Sequence, residues 1–236
     1  MHQLPKERAL PRISVHKLGT YLEAGPFDRE KILRDQKYPA DFQRLRYRDA
    51  EDEIRRALFS SDVKAGLVDG GKRISAKTVG TKWAQQAQEG CLLAVEKFSD
   101  LFDSLDLDDV SFVRVGRSTL PQRIEGVSIS TRPLALIRRQ TRKGERFGAI
   151  LFVMRKEEKL TPKGGKAIAE LLRRALSVNG IYKPDQIDPK LCVVVDIFHN
   201  AVFEAPPRSK RVIEEIRAAC REIVARWPFI AAVRVA

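Results

Sequence analysis

The sequence predicts an α/β fold: a central mixed sheet flanked by helices, with a helical region at the N-terminus. Three observations carry that expectation. Up to about residue 105, apolar residues recur at three- and four-residue spacing, the period of a half-buried helix. Beyond it the period drops to two, in short segments separated by turn residues. Two more helical patterns, opening at Thr161 and Ser209, then bracket the continuous apolar run Leu191–Phe198.

In order along the chain, Ser14 can cap a first helix through Leu18, Tyr21 and Leu22, broken by Gly25-Pro26. A second should start near Asp28, bury Ile32 and Leu33, and end at Tyr38-Pro39. A third should span Asp41 to Phe59 on a stripe of Phe42, Leu45, Ala50, Ile54 and Leu58. Its other face interleaves charges of both signs, as solvated helix faces do. Residues 61–80 read as a linker, because Gly66, Gly70, Gly71, Ser75 and Gly80 supply turn chemistry. Gly70-Gly71-Lys72 lacks the Gly-x-x-x-x-Gly-Lys-Ser/Thr frame of a phosphate loop and reads as a turn. The expected organisation is a helical region at 1–60, a linker at 61–80 and an α/β domain at 81–236.

A long helix should run from about Thr81 to Leu105, with Trp83, Ala87, Cys91, Ala94, Val95, Phe98 and Leu101 on its buried face. Asp100, Asp103, Asp106, Asp108 and Asp109 make its end acidic. Ser111–Gly116 and Ile124–Arg132 alternate as strands, the second continuing through Pro133 to Ile137. Gln140–Gly144 is a hairpin connection into the buried strand Phe147–Met154. Thr161 as cap and Pro162 in the first turn open a helix that Asn179-Gly180 stops. After Leu191–Phe198, His199-Asn200 turns into Ala201–Glu204, and the last helix ends near Trp227.

Of 236 residues, 43% are hydrophobic and 32% charged, enough apolar material for a core and against wholesale disorder. No apolar run approaches the roughly 20 residues of a membrane span, and the N-terminus lacks a secretion signal's hydrophobic block. A cytoplasmic protein without membrane contact is expected. Cys91, Cys192 and Cys220 lie in apolar contexts and read as reduced core thiols. Against 31 Asp and Glu stand 44 Lys and Arg, a net charge of +13 that should attract polyanions.

Most of that surplus falls between Arg132 and Arg174, with 13 cations against four glutamates. Arg132, Arg138, Arg139, Arg142, Lys143, Arg146, Arg155, Lys156, Lys163 and Lys166 are therefore the candidate nucleic-acid contacts, on DNA or RNA. Lys163 and Lys166 would flank a helix N-terminus whose free N–H groups favour phosphate. Base readout has little support, because Phe147 and Phe152, the aromatics of this block, fall inside a strand.

From Thr81 onward, the order helix, three strands, helix, strand, helix resembles the core of the PD-(D/E)XK nucleases. This restriction-endonuclease-like resemblance covers about residues 81–228. It implies a metal-binding Asp in a Pro-Asp pair on the second strand and Glu-x-Lys on the third. Here Arg132-Pro133-Leu134 keeps only the proline, and Leu151 and Val153 stand where Glu and Lys are implied. Magnesium requires oxygen ligands that leucine lacks, and no carboxylate lies between Glu125 and Glu145 or between Glu145 and Glu157.

The resulting expectation is a non-catalytic nuclease-fold module that binds nucleic acid, without metal or other cofactor. The resemblance alone places it as a subunit of a larger bacterial defence or mobile-element complex. A protein–protein adaptor, docking other subunits through its N-terminal helices, is the alternative. An active nuclease would need magnesium and ligands relocated to Glu96, Glu125 or Asp196. Asp196 interrupts an apolar run, where a buried aspartate usually has a hydrogen-bond partner. His2, His16 and His199 match no metal spacing, and His16 reads as helix packing.

Overall fold

The computed structural model describes residues 7–39, 46–105, 107, 109–116 and 119–232. Among them the chain forms β1 (Arg12–Ser14), α1 (Val15–Tyr21), α2 (Pro26–Lys37) and α3 (Arg48–Leu58) before its first long helix. The Ser14 hydroxyl accepts from the Lys17 N–H and caps α1, and Pro26 occupies the first turn of α2. Residues 41–45, the expected start of the third helix, lie outside the described residues, as do Asp106 and Asp108. The strand β1 leaves no period-two signal because it is three residues long.

The expected linker is corrected. Residues 63–75 form a helix, α4 (Val63–Ser75), capped by the Asp62 carboxylate. Gly66 and Gly70 are helix-packing glycines and not turn residues. A Cβ on Gly66 would stand 2.9 Å from the Cα of Ala57, and one on Gly70 would stand 3.0 Å from the Cβ of Glu53. Their absence lets α4 lie against α3, where the buried Glu53 accepts from Arg73 of α4 at 2.7 Å and from Arg56. Gly66→Ala should therefore destabilise the protein by about 1–3 kcal/mol. Gly71 meets nothing within 4 Å, so Gly71→Ala should stabilise it by about 0.5–1 kcal/mol. Urea midpoints of the two variants check the pair, and equal shifts would restore the linker reading.

The helix α5 (Lys82–Phe102) starts where expected, with the Thr81 hydroxyl as its cap, and buries Cys91, Ala94, Val95, Phe98 and Leu101. Trp83 departs from that stripe and is 47% exposed. A five-stranded sheet follows in the order β2 (Val110–Val113), β5 (Ala135–Thr141), β6 (Gly144–Val153), β7 (Ile187–Asp196), β8 (Ala201–Glu204). Its pairs are antiparallel except β6–β7, whose crossover is α6 (Pro162–Val178). The expected continuous strand from Ile124 to Ile137 is instead broken. β3 (Leu120–Ile124) and β4 (Val127–Thr131) form a hairpin in a second sheet, ordered β1-β4-β3. The chain changes sheets at Arg132-Pro133-Leu134, where proline has no N–H for a ladder.

Both faces of the large sheet are covered. Leu136, Leu151 and Val194 share one apolar cluster with α1, α6, the small sheet and the last helix, α7 (Lys210–Arg226). Ile137, Ile150 and Val195 share another with α3, α4 and α5. The three cysteines are buried and unpaired, and burial pushes the Cys220 thiol up to about 12. Among the described residues, no helix is long and apolar enough to cross a membrane.

Candidate nucleic-acid interface

The ten cations expected to act together occupy three places. Arg138, Arg139, Arg142, Lys143 and Arg146 cluster at the β5–β6 turn. Thr141 pairs with Gly144, so Arg142 and Lys143 are the two loop residues, and Gly144 takes a φ of 103°. The Thr141 hydroxyl accepts from the Lys143 N–H and donates to the Gly144 carbonyl, which fixes the tip. Arg138 pairs with Glu145 at 3.5 Å, and Arg146 donates to the Asp185 carbonyl at 3.1 Å. The ladder sets Arg139 directly opposite Arg146. Phe147 stacks on Tyr182 at 4.1 Å beneath the tip, holding the loop after α6 against the hairpin.

Arg132, Arg155 and Lys156 stand at the opposite end of β6. Seven residue steps of extended strand separate Arg146 from Val153, about 23 Å, and Arg155 lies two residues beyond. Arg155 pairs with Glu158 at 2.6 Å, which Lys17 approaches to 3.7 Å. Lys156 lies over the Phe198 ring, 5.4 Å from its centroid, and that ring packs on Tyr47. Lys163 and Lys166 form the third place, at the start of α6, and here the expectation needs correcting. The Glu23 carboxylate accepts a hydrogen bond from the Thr161 cap, and Lys163 pairs with Glu215 at 3.3 Å. The anion at this helix start is the chain's own.

The three candidate metal ligands do not converge. Glu96 is exposed on α5. Glu125 lies at the β3–β4 turn with a φ of 45°, facing Arg221 at 3.7 Å and Arg217 at 3.9 Å. Asp196 is fully buried at the end of β7; it accepts from the Leu160 N–H at 2.9 Å and from His199 Nδ1 at 3.0 Å. It is the satisfied buried aspartate that its sequence context suggested. Among the described residues no three His, Cys, Asp or Glu side chains group as metal ligands. The positions taken from the nuclease resemblance separate as well. Leu134 packs with Ile150 and Phe152, whereas Leu151 and Val153 belong to the apolar cluster on the other face of the sheet.

Sequence reasoning missed His16. Its Nε2 stands 2.9 Å from the Phe152 carbonyl. Burial first, then the Arg155 charge, push the imidazole down from 6.5 to about 4, against the raising effect of the Phe152 carbonyl. The unfolded chain takes up a proton near 6.5 and the folded one only near 4. This histidine's contribution is thus complete above 6.5 and fades as pH falls towards 4, by at most about 3 kcal/mol and less for a ring in partial contact with water. Urea midpoints at neutral and acid pH check this, and His16→Gln should flatten the difference. No family model matches the chain, and no curated protein matches it.

Proposed function

We propose that the protein binds nucleic acid non-catalytically through the tip of the β5–β6 hairpin. One observation carries the reading. Arg142 and Lys143 occupy the exposed turn and form no ion pair among the described residues, while Glu145 beside them pairs with Arg138. Exposed cations held on a rigid two-residue turn are suited to phosphate contact, which gives affinity without base readout. The large sheet's order, with α5 before it and α6 crossing between its parallel strands, supports the nuclease-like part of the reading. The apolar neighbours of Leu134 and Leu151 support its non-catalytic part.

The test is duplex affinity at several salt concentrations, for wild type and for a variant with Arg138, Arg139, Arg142, Lys143 and Arg146 changed to Ala. The salt slope should flatten by about 0.9 for each phosphate contact removed. The exposed Arg138, Arg142 and Lys143 should contribute about 0–1 kcal/mol each to stability, and the half-buried Arg139 and Arg146 more, so the variant's affinity is measured at a temperature where its melting curve shows it folded. Unchanged binding would remove the hairpin from the interface. Magnesium-dependent cleavage abolished by Asp196→Asn would overturn the non-catalytic reading.

A further inference from the structure

The β5–β6 ladder ends where the Leu134 N–H donates to the Ile150 carbonyl at 2.8 Å, and the chain then leaves for the small sheet. His16 of α1 takes up the next outward carbonyl, that of Phe152. Lys17 follows it on α1, Arg132 marks the point of departure, and Arg155 closes the end of β6. The charges of Arg155, Lys17 and Arg132 all act on the ring. We propose that His16, Lys17, Arg132 and Arg155 form a binding site for a phosphoryl oxyanion, the chemistry shared by free phosphate and a nucleic-acid phosphate.

The charge balance favours such a ligand. Lys17 and Arg155 share one carboxylate, Glu158, which is 47% exposed, and Asp35 acts on Lys17 from α2. Arg132 is exposed and forms no ion pair among the described residues. The cluster keeps a cationic surplus beside a histidine that burial first, and then these charges, hold neutral. Its place also fits, at the carboxyl end of the parallel β6–β7 pair, where open α/β sheets gather ligands.

The ring's hydrogen bonding sets the expected behaviour. The Phe152 carbonyl only accepts, so Nε2 carries the hydrogen and neutral His16 keeps a lone pair on Nδ1. A proton on Nδ1 turns that acceptor into a donor and adds a charge. An oxyanion bound here offsets Lys17, Arg132 and Arg155 and thereby favours the protonated ring, so its affinity must rise as pH falls. The site lies at the far end of β6 from the hairpin tip, more than about 20 Å away by the strand rise, and does not rest on the hairpin reading.

The experiment uses the whole chain with ¹⁵N-labelled histidine and inorganic sulfate, a phosphate-shaped dianion whose charge is constant over the range. Sulfate should move the His16 ring signals saturably, with affinity at least about tenfold tighter near pH 5 than near pH 7.5. The Lys17→Gln/Arg155→Gln variant, its fold checked by its backbone spectrum, should lose at least about tenfold. His16 signals that sulfate leaves unmoved, or an affinity independent of pH, would overturn the site; the wild-type titration decides this even if the double variant does not fold.

Competition in the five-site hairpin variant separates the sources. Displacement of sulfate by a 5′-phosphorylated oligonucleotide, but not by its 5′-hydroxyl form, assigns a terminal nucleic-acid phosphate. Displacement by both assigns backbone phosphate, and displacement by neither, with sulfate still bound, assigns a free anion. Loss of duplex binding in that variant with sulfate binding retained would show two independent sites.

Discussion

Gly148→Ala should cost about 3 kcal/mol or more, because no other glycine of the protein leaves less room for a Cβ. A Cβ at Gly148 would stand 2.1 Å from the carbonyl oxygen of Leu191 and 2.3 Å from its carbonyl carbon. Both are backbone atoms of the neighbouring strand, so no rotamer change relieves the overlap. The cause lies in the register. Phe147 pairs with Ile187 and Ala149 with Cys192, so β7 bulges across Asp188-Pro189-Lys190 while β6 advances by two residues. The returning chain closes over Gly148. Substitution must either push the central parallel pair apart or move the bulge, and the apolar clusters on both faces resist each. Urea unfolding of Gly148→Ala beside Gly71→Ala measures the cost on one scale. A loss below about 1 kcal/mol would mean that the bulge slides freely, and that β6 and β7 are not locked here.

The bulge illustrates what the sequence hid. Leu191–Phe198 announces a buried strand by its apolar run, but the pairing of Ile187 ahead of it crosses Asp188, Pro189 and Lys190, residues that punctuate chains elsewhere. Caps were legible because one side chain and one N–H three residues on define them. Ser14 and Thr161 each cap the helix expected of them. Gly66 and Gly70 were misleading for a physical reason: glycine serves both turns and close helix contacts, and only the partner helix tells which. The step from β4 to β5 was equally silent, since alternation persists through Arg132-Pro133-Leu134 while the chain exchanges one sheet for another.

The candidate site shows the same division. That the block from Arg132 to Arg174 is basic needs only counting. Its separation into a hairpin tip, a strand end and a helix start depends on the extended length of β6 and the return of α6. Glu23, which occupies the start of α6, is 138 residues from Thr161 in sequence, and no local pattern connects them. His16 is likewise joined to the strand end by an α1 that runs beside α6. There the close approach of Gly19 and Gly164 leaves no room for a Cβ on either: one on Gly19 would meet Ile168 at 2.6 Å, and one on Gly164 the Gly19 carbonyl at 3.0 Å. Charge was legible; convergence was not.

Trp227→Ala should cost about 3–5 kcal/mol, because the side chain is 2% exposed and closes the end of α7 against the N-terminal segment. Its indole Nε1–H donates to the Arg8 carbonyl at 3.1 Å, so truncation leaves a cavity and removes that carbonyl's partner. The Trp227 backbone is engaged as well. Its carbonyl and that of Ile230 accept from the buried Lys37 ammonium, at 3.2 and 2.9 Å, and Lys37 also pairs with Glu7 at 3.2 Å. These bonds survive any substitution at the side chain, so the loss reports packing and the indole bond alone. Trp227→Phe separates the two: it keeps most of the apolar volume, lacks the N–H, and should lose about 1–2 kcal/mol. Denaturation of both variants at neutral pH makes the comparison. Equal losses for Ala and Phe would assign the effect to the Arg8 bond, whereas a loss below about 1 kcal/mol for Ala would mean that α7 is peripheral to the core.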